Sequence, residues 1–217
     1  TRILIDELEA GSFSLGRFYA RRVRRLLPAF LIVLAATAAA SAWISTPTDW
    51  VDFAKHMLAS LLFLGNVHSW LSSGYFEQAA AATPLLHVWS LAVEEQFYLL
   101  FPCLVLAIWT FRKRWLGAAL LFLLSGSFGL AVWASEAYPT AAYFLMPFRA
   151  WELLVGACAV LLDRRYGWTE RAQHADAPGW MGTLPHLGLL LILMSMALLD
   201  RGSVYPGWKT LPPVIGT

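Results

Sequence analysis

Apolar residues run through this chain in blocks too long for a water-facing core. Leu26–Ser45, Trp89–Phe111, Trp115–Ser135, Phe148–Leu162 and Leu184–Leu199 are dominated by Leu, Ala, Val, Phe and Trp. A helix that crosses a bilayer needs ~20 such residues in succession. Each block is therefore predicted as a spanning helix, with Pro28 in the first turn of the first, where a missing N–H costs little. Alternation of strand type is weak throughout, so the fold class expected is all-α, a polytopic transmembrane helical bundle. Val51–Leu71 is ambiguous. Its apolar core, Met57–Val67, is short and broken by Gly65-Asn66, a length more typical of re-entrant or interfacial segments. Ser72–Leu86 and Asp163–Thr183 read as loops.

Charge placement orders these blocks. Arg17, Arg21, Arg22, Arg24 and Arg25 precede the first helix, Arg112-Lys113-Arg114 follow the second, and Arg164-Arg165 follow the fourth. The excess of Lys and Arg in cytoplasmic loops puts all three clusters inside. That is met if Val51–Leu71 re-enters rather than crosses, so Arg17–Arg25 are expected to be cytoplasmic.

Composition agrees. Of 217 residues, 59% are hydrophobic and 14% charged, against about 25% charged in a soluble domain, and the mean hydropathy is +0.58. The net charge of +2 is too small to call for a nucleic acid partner. The partner implied is the lipid bilayer. Cys103 and Cys158 lie in apolar runs and read as packing residues. Thr1–Ser14 has no apolar core of a signal peptide. The start without Met and the end at Pro212–Thr217 lead us to expect truncation at both ends.

Three constellations carry candidate chemistry. On a helix, His87, Ser90, Glu94 and Tyr98 stack on one face. Carboxylates at bilayer depth are costly unless paired or hydrated, so Glu94 and Glu95 imply a hydrated cavity; the alternative is a helix end wetted at the interface. Arg149 and Glu152 share a face three residues apart. They can pair with each other, or Arg149 can neutralise Glu94 or Glu95; the alternative is a snorkelling pair beside a Trp belt. The arginines Arg21, Arg22, Arg24 and Arg25 anchor topology, and their paired forks also suit a phosphorylated cytoplasmic ligand. His56, His68, His174 and His186 stand alone in the sequence and read as interface or loop residues. No metal-ligand cluster, Walker loop or nucleophile elbow is present.

Taken together, Phe18–Pro28, His87–Tyr98 and Phe148–Ala157, in that order, resemble the acyltransferase-3 superfamily. Its members are multi-pass membrane enzymes that O-acylate cell-envelope glycans, including the peptidoglycan and lipopolysaccharide branch. Tyr75-Phe76 and the Pro206-Gly207-Trp208 turn are similar to that branch too. The resemblance implies a partial acyltransferase domain over residues 1–217 in the bacterial cytoplasmic (inner) membrane. Acetyl-coenzyme A would be the acyl donor, and an envelope glycan or lipid-linked sugar the acceptor. The family's first helix carries a basic residue followed after ten positions by a catalytic His; no His here has Arg or Lys eleven positions before it. The principal catalytic His is therefore expected upstream of residue 1, with this stretch inactive by itself. What remains for this chain is Glu94, Glu95, His87 and Ser90 as supporting groups at the reaction cavity. Arg21, Arg22, Arg24 and Arg25 would hold coenzyme A phosphates, and Arg149, Glu152 and Tyr98 would complete the polar lining. A transporter with a polar path, hinted at by Gly65-Asn66, and a structural membrane subunit are the rival readings.

Overall fold

The computed structural model describes residues 1–72, 84–172, 179–199 and 205–217. These form helices and turns, with no strand among the described residues. The helices are α1 (Arg2–Glu9), α2 (Leu15–Ile44), α3 (Pro47–Leu61), α4 (Gly65–Ser72), α5 (Val88–Arg112), α6 (Leu116–Ala137), α7 (Pro139–Phe144), α8 (Met146–Tyr166), α9 (Trp168–Ala172), α10 (Gly179–Leu198) and α11 (Leu211–Gly216). Among the described residues, three stretches are long and apolar enough to cross a membrane: Leu15–Ile44, Val88–Ala137 and Pro139–Tyr166. Large apolar side chains point outward along them; Ile32 is 68% exposed and Phe122 77%. Lipid rather than water suits such a surface. The fold is an all-α membrane fold, as expected.

Several boundaries differ from the sequence reading. The arginine cluster lies inside α2 rather than ahead of it, which places Pro28 in the helix interior and not in its first turn. Arg is a good helix former, so nothing in Leu15–Arg25 stops the helix short of the apolar run. A membrane-type helix tolerates the lost N–H of an internal Pro. The loop predicted over Asp163–Thr183 is largely helix, with α8 running to Tyr166, α9 following, and α10 starting at Gly179. Of the turn residues placed near Ser72–Leu86, Tyr75 and Phe76 lie outside the described residues, as does His174. The N-terminal segment forms α1, with Leu4 and Ile5 buried.

The chain packs as two compact units, Arg2–Thr110 with Phe144–Met146, and Thr1 with Phe111–Tyr143 and Pro147–Thr217. In the first, Phe30 and Leu34 of α2, Phe53 of α3 and Leu85 form a buried cluster, against which Met57, Phe63, Val88 and Leu91 pack. The ambiguous Val51–Leu71 resolves into α3 and α4. Thr46 starts α3 with a capping box: its hydroxyl accepts from the Asp49 N–H, and Asp49 accepts from the Thr46 N–H. The helix ends where Phe63 N–H donates to Ser60 O (2.9 Å) and Leu64 N–H to Ala59 O (2.8 Å). That pair of bonds is a Schellman closure, which needs a left-handed residue. Phe63 supplies it at φ 53°, a position usually given to glycine. Its ring stacks on Phe30 with centroids 5.5 Å apart.

In the second unit, Ser127 of α6 ties down the start of α8. Its hydroxyl donates to Pro147 O (2.7 Å) and accepts from the Trp151 N–H (3.0 Å). Trp151 is 1% exposed and meets Phe128 edge-on. Helices α10 and α11 touch at Gly188 and Gly216, where a Cβ on Gly188 would lie 2.5 Å from Gly216 O.

Candidate functional site

The seam between α2 and α5 gathers the residues of two of the three constellations. Tyr19 donates its hydroxyl proton to Leu99 O at 2.7 Å, and its oxygen lies 3.4 Å from Cys103 Sγ. One turn further along α2, Arg22 reaches Glu95 Oε1 with Nη2 at 2.6 Å and Nε at 2.8 Å. The Arg22 guanidinium carbon sits 3.4 Å from the centroid of the Tyr98 ring. Advancing from 19 to 22 on α2 retreats from 99 and 103 to 95 and 98 on α5, so the two helices run antiparallel. Glu95 and Tyr98 are three apart on one face of α5, which lets one side chain bind the cation's edge and the other its flat surface. The side chains of Arg22 and Glu95 are 22% and 14% exposed. This is a charge-assisted contact well shielded by protein.

The face drawn from the sequence is assembled differently. Helix α5 begins at Val88, so His87 lies in the preceding turn and not on the helix. Ser90 Oγ donates back to His87 O at 3.2 Å. His87, Ser90 and Glu94 are exposed. It is Glu95, with Tyr98, that faces α2. The arginines also divide. Arg21 pairs with Glu7 of α1 at 2.8 Å, Arg22 with Glu95, and Arg17 donates to Ser12 O. Arg24 and Arg25 are exposed, and neither has a hydrogen bond or ion pair among the described residues. In the second unit Arg149 pairs with Glu152 at 3.0 Å, the first of the partners its spacing allowed, and stands 5.9 Å from the Tyr143 ring centroid.

Sequence reasoning missed the clamp behind Glu95. Gln96 Nε2 donates to Asn66 Oδ1 (2.8 Å) and to Phe63 O (2.9 Å), while Asn66 Nδ2 reaches Gln96 Oε1 (3.3 Å) and Phe144 O (3.2 Å). Asn66 is 1% exposed. The break at Gly65-Asn66 thus fastens the α3–α4 hairpin to α5, next to Glu95 in sequence. A buried amide at a helix break, with a second amide inside an apolar helix, is the signal that would have found it.

Known relatives bear on this arrangement. An uncharacterised protein of Haemophilus influenzae is 33% identical over the whole chain and 90% of its own length. A Komagataeibacter xylinus protein provisionally named a membrane-bound transacylase, BcsY, is 32% identical over 68% of the chain and 38% of its own length. A Staphylococcus aureus protein provisionally named an O-acetyltransferase is 36% identical over 53% of the chain and 19% of its own length. The chain is thus similar to proteins named as acyltransferases, and the relative it covers almost whole carries no functional name. It spans less than half the length of the relatives that carry a functional name. No family model and no solved structure matches it.

Proposed function

We propose that this protein, as a multi-pass protein of the bacterial cytoplasmic membrane, moves an acyl group from a coenzyme A thioester to a hydroxyl of a cell-envelope glycan or lipid-linked sugar. Acetyl is the acyl group the S. aureus relative's name favours. The observation that carries the reading is the Arg22–Glu95–Tyr98 contact, which joins the arginine segment of α2 to the His87–Tyr98 segment of α5. A carboxylate held by an arginine keeps its position, the property needed to orient a proton-accepting group at a reaction centre. Glu95 has that role, with His87 and Ser90 at the mouth of the same helix. Arg24 and Arg25 are the donors left for coenzyme A phosphates, since Arg21 and Arg22 already hold carboxylates. Arg149 and Glu152 add a second polar pair on α8. The antiparallel course of α2 and α5 supports the re-entrant reading of α3–α4. It starts and ends that connection on one side, with Arg17–Arg25 and Arg112 on the other, the side that the excess of Lys and Arg assigns to the cytoplasm.

The test is transfer of labelled acetyl from acetyl-coenzyme A to envelope glycan, in membranes holding the natural protein. Glu95→Gln should lower kcat by ~100-fold, and Arg24→Ala with Arg25→Ala should raise KM for acetyl-coenzyme A by ~10-fold while sparing kcat. Transfer that survives loss of both Glu94 and Glu95 would overturn the site. An unchanged KM in the arginine variant would overturn the donor assignment.

A further inference from the structure

Two histidines that stand apart in the sequence meet inside the α3–α4 hairpin. His56 of α3 and His68 of α4 stack with centroids 4.8 Å apart and planes 23° from parallel. His56 is 2% exposed and Ser60, one turn along, 0%. His56 Nε2, His68 Nδ1 and Ser60 Oγ are shielded from solvent and have no hydrogen-bond partner among the described residues. A Cβ on Gly65 would lie 3.2 Å from Ser60 Oγ and 3.9 Å from His56 Nε2, so these two polar groups flank the hairpin's turn. Unpartnered buried polar atoms weaken an element that carries them. Three of them lie together in the hairpin that clamps α5 through Asn66 and Gln96.

The charged surroundings are few. Asp52 and Lys55 of α3 pair with each other at 2.9 Å and are exposed. Asp52 favours a proton on His68 and Lys55 opposes it. Helix α2 contributes apolar Phe30 and Leu34 to the packing around α3, and α5 meets the hairpin with neutral Gln96. Burial therefore dominates. It brings His56 down to about 4, with the neighbouring His68 adding to the effect. Burial lowers His68 as well.

We propose that the His56–His68 stack is an acid-sensitive latch whose opening frees Asn66 from Gln96 and loosens the part of α5 that presents Glu95. The regulatory meaning rests on the acyltransferase reading of that site; the latch itself does not. The sign follows from both groups being lowered. The closed hairpin keeps them neutral, and its stability is complete above the ordinary histidine value of about 6.5. Below that the open form binds protons more readily, so closure weakens as pH falls from about 6.5 towards 4.

Hydrogen exchange of the natural protein in lipid nanodiscs, corrected for the chemical exchange rate, reads the latch without any transfer assay. Between about pH 7 and about pH 4.5, exchange in Asp52–Ser72 and in the first turns of α5 should rise by ~10-fold or more. His56→Phe with His68→Phe keeps a ring stack and should hold both segments flat. Asp52→Asn should leave the rise in place, which separates the imidazoles from the neighbouring carboxylate. Should the double variant not fold, His68→Phe alone should shrink the rise. An equal rise in either histidine variant, no rise in the natural protein, or its loss in Asp52→Asn would overturn the proposal. A hairpin that opens while α5 stays protected would overturn the coupling. If the latch fails, the acyltransferase site still stands or falls by acetyl transfer in the Glu94 and Glu95 variants.

Discussion

Arg22 and Glu95 stand 73 residues apart in the chain and 2.6 Å apart in the fold. Neither is charged surface decoration. The pair is mostly covered, and the Tyr98 ring closes one side of the guanidinium. Removing one partner of a shielded pair strands the other charge, which costs more than the pair contributes intact. Glu95→Met and Arg22→Met should each lower stability by about 2–4 kcal/mol. Replacing both by Met should recover at least half of that loss, because no charge is left uncompensated. Thermal unfolding of the four proteins in one detergent gives the cycle. Additive losses would mean that the pair is uncoupled.

The amide clamp predicts a different pattern. Asn66→Ala leaves the Gln96 amide, already committed to Phe63 O, without its reciprocal partner, and it strips a donor from Phe144 O. Each buried polar group left open costs about 1–3 kcal/mol. Asn66→Asp puts an unpaired carboxylate against Phe144 O and Gln96 Oε1, so near neutral pH it should destabilise more than Asn66→Ala. Melting temperatures of the three proteins in one detergent would show that order. A neutral Asn66→Ala would mean that the hairpin is held by apolar packing alone.

How much of this is legible in the sequence depends on whether a feature is local. Long apolar runs announce the membrane helices, and the i, i+3 spacing announces Arg149 with Glu152. The start of α3 is readable too, since Thr46-Pro47 with Asp49 carries the capping pattern, a fainter signal than the apolar core that follows it. What cannot be read is the partner across helices. Periodicity puts Glu94 on the polar face with His87, yet Glu95 faces α2, because the antiparallel course of α2 sets which carboxylate meets Arg22. The arginines look interchangeable in sequence, and only the tertiary fold sends Arg21 to Glu7, Arg22 to Glu95, and leaves Arg24 and Arg25 outside. His56 and His68 look isolated for the same reason. Their separation along the chain means nothing until it turns at Leu62–Leu64.

Ser127 supports a prediction within the second unit. One hydroxyl serves both Pro147 O and the Trp151 N–H, an i, i+4 pair of α8 that the hydroxyl bridges. Ser127→Ala should cost about 1–3 kcal/mol and Ser127→Thr less. The fluorescence of Trp151 is hard to isolate among 11 tryptophans. Hydrogen exchange over Met146–Glu152 reads the effect directly and should rise in Ser127→Ala alone.

Glycine to alanine should have opposite signs at two positions of one helix. Both Gly182 and Gly188 lie inside α10, where Ala is the better helix former by about 1 kcal/mol. Around Gly182 a Cβ meets nothing within 4 Å, so Gly182→Ala should be neutral or raise the melting temperature. At Gly188 the same methyl would sit 2.5 Å from Gly216 O and 3.4 Å from its carbonyl carbon. Those are backbone atoms, which no rotamer change can move aside, so α11 would have to back away from α10. The packing lost outweighs the propensity gained, and Gly188→Ala should destabilise by about 1–3 kcal/mol. Melting curves of the two variants side by side decide it. The same sign at both positions would mean that the α10–α11 contact adds nothing to the stability of the fold.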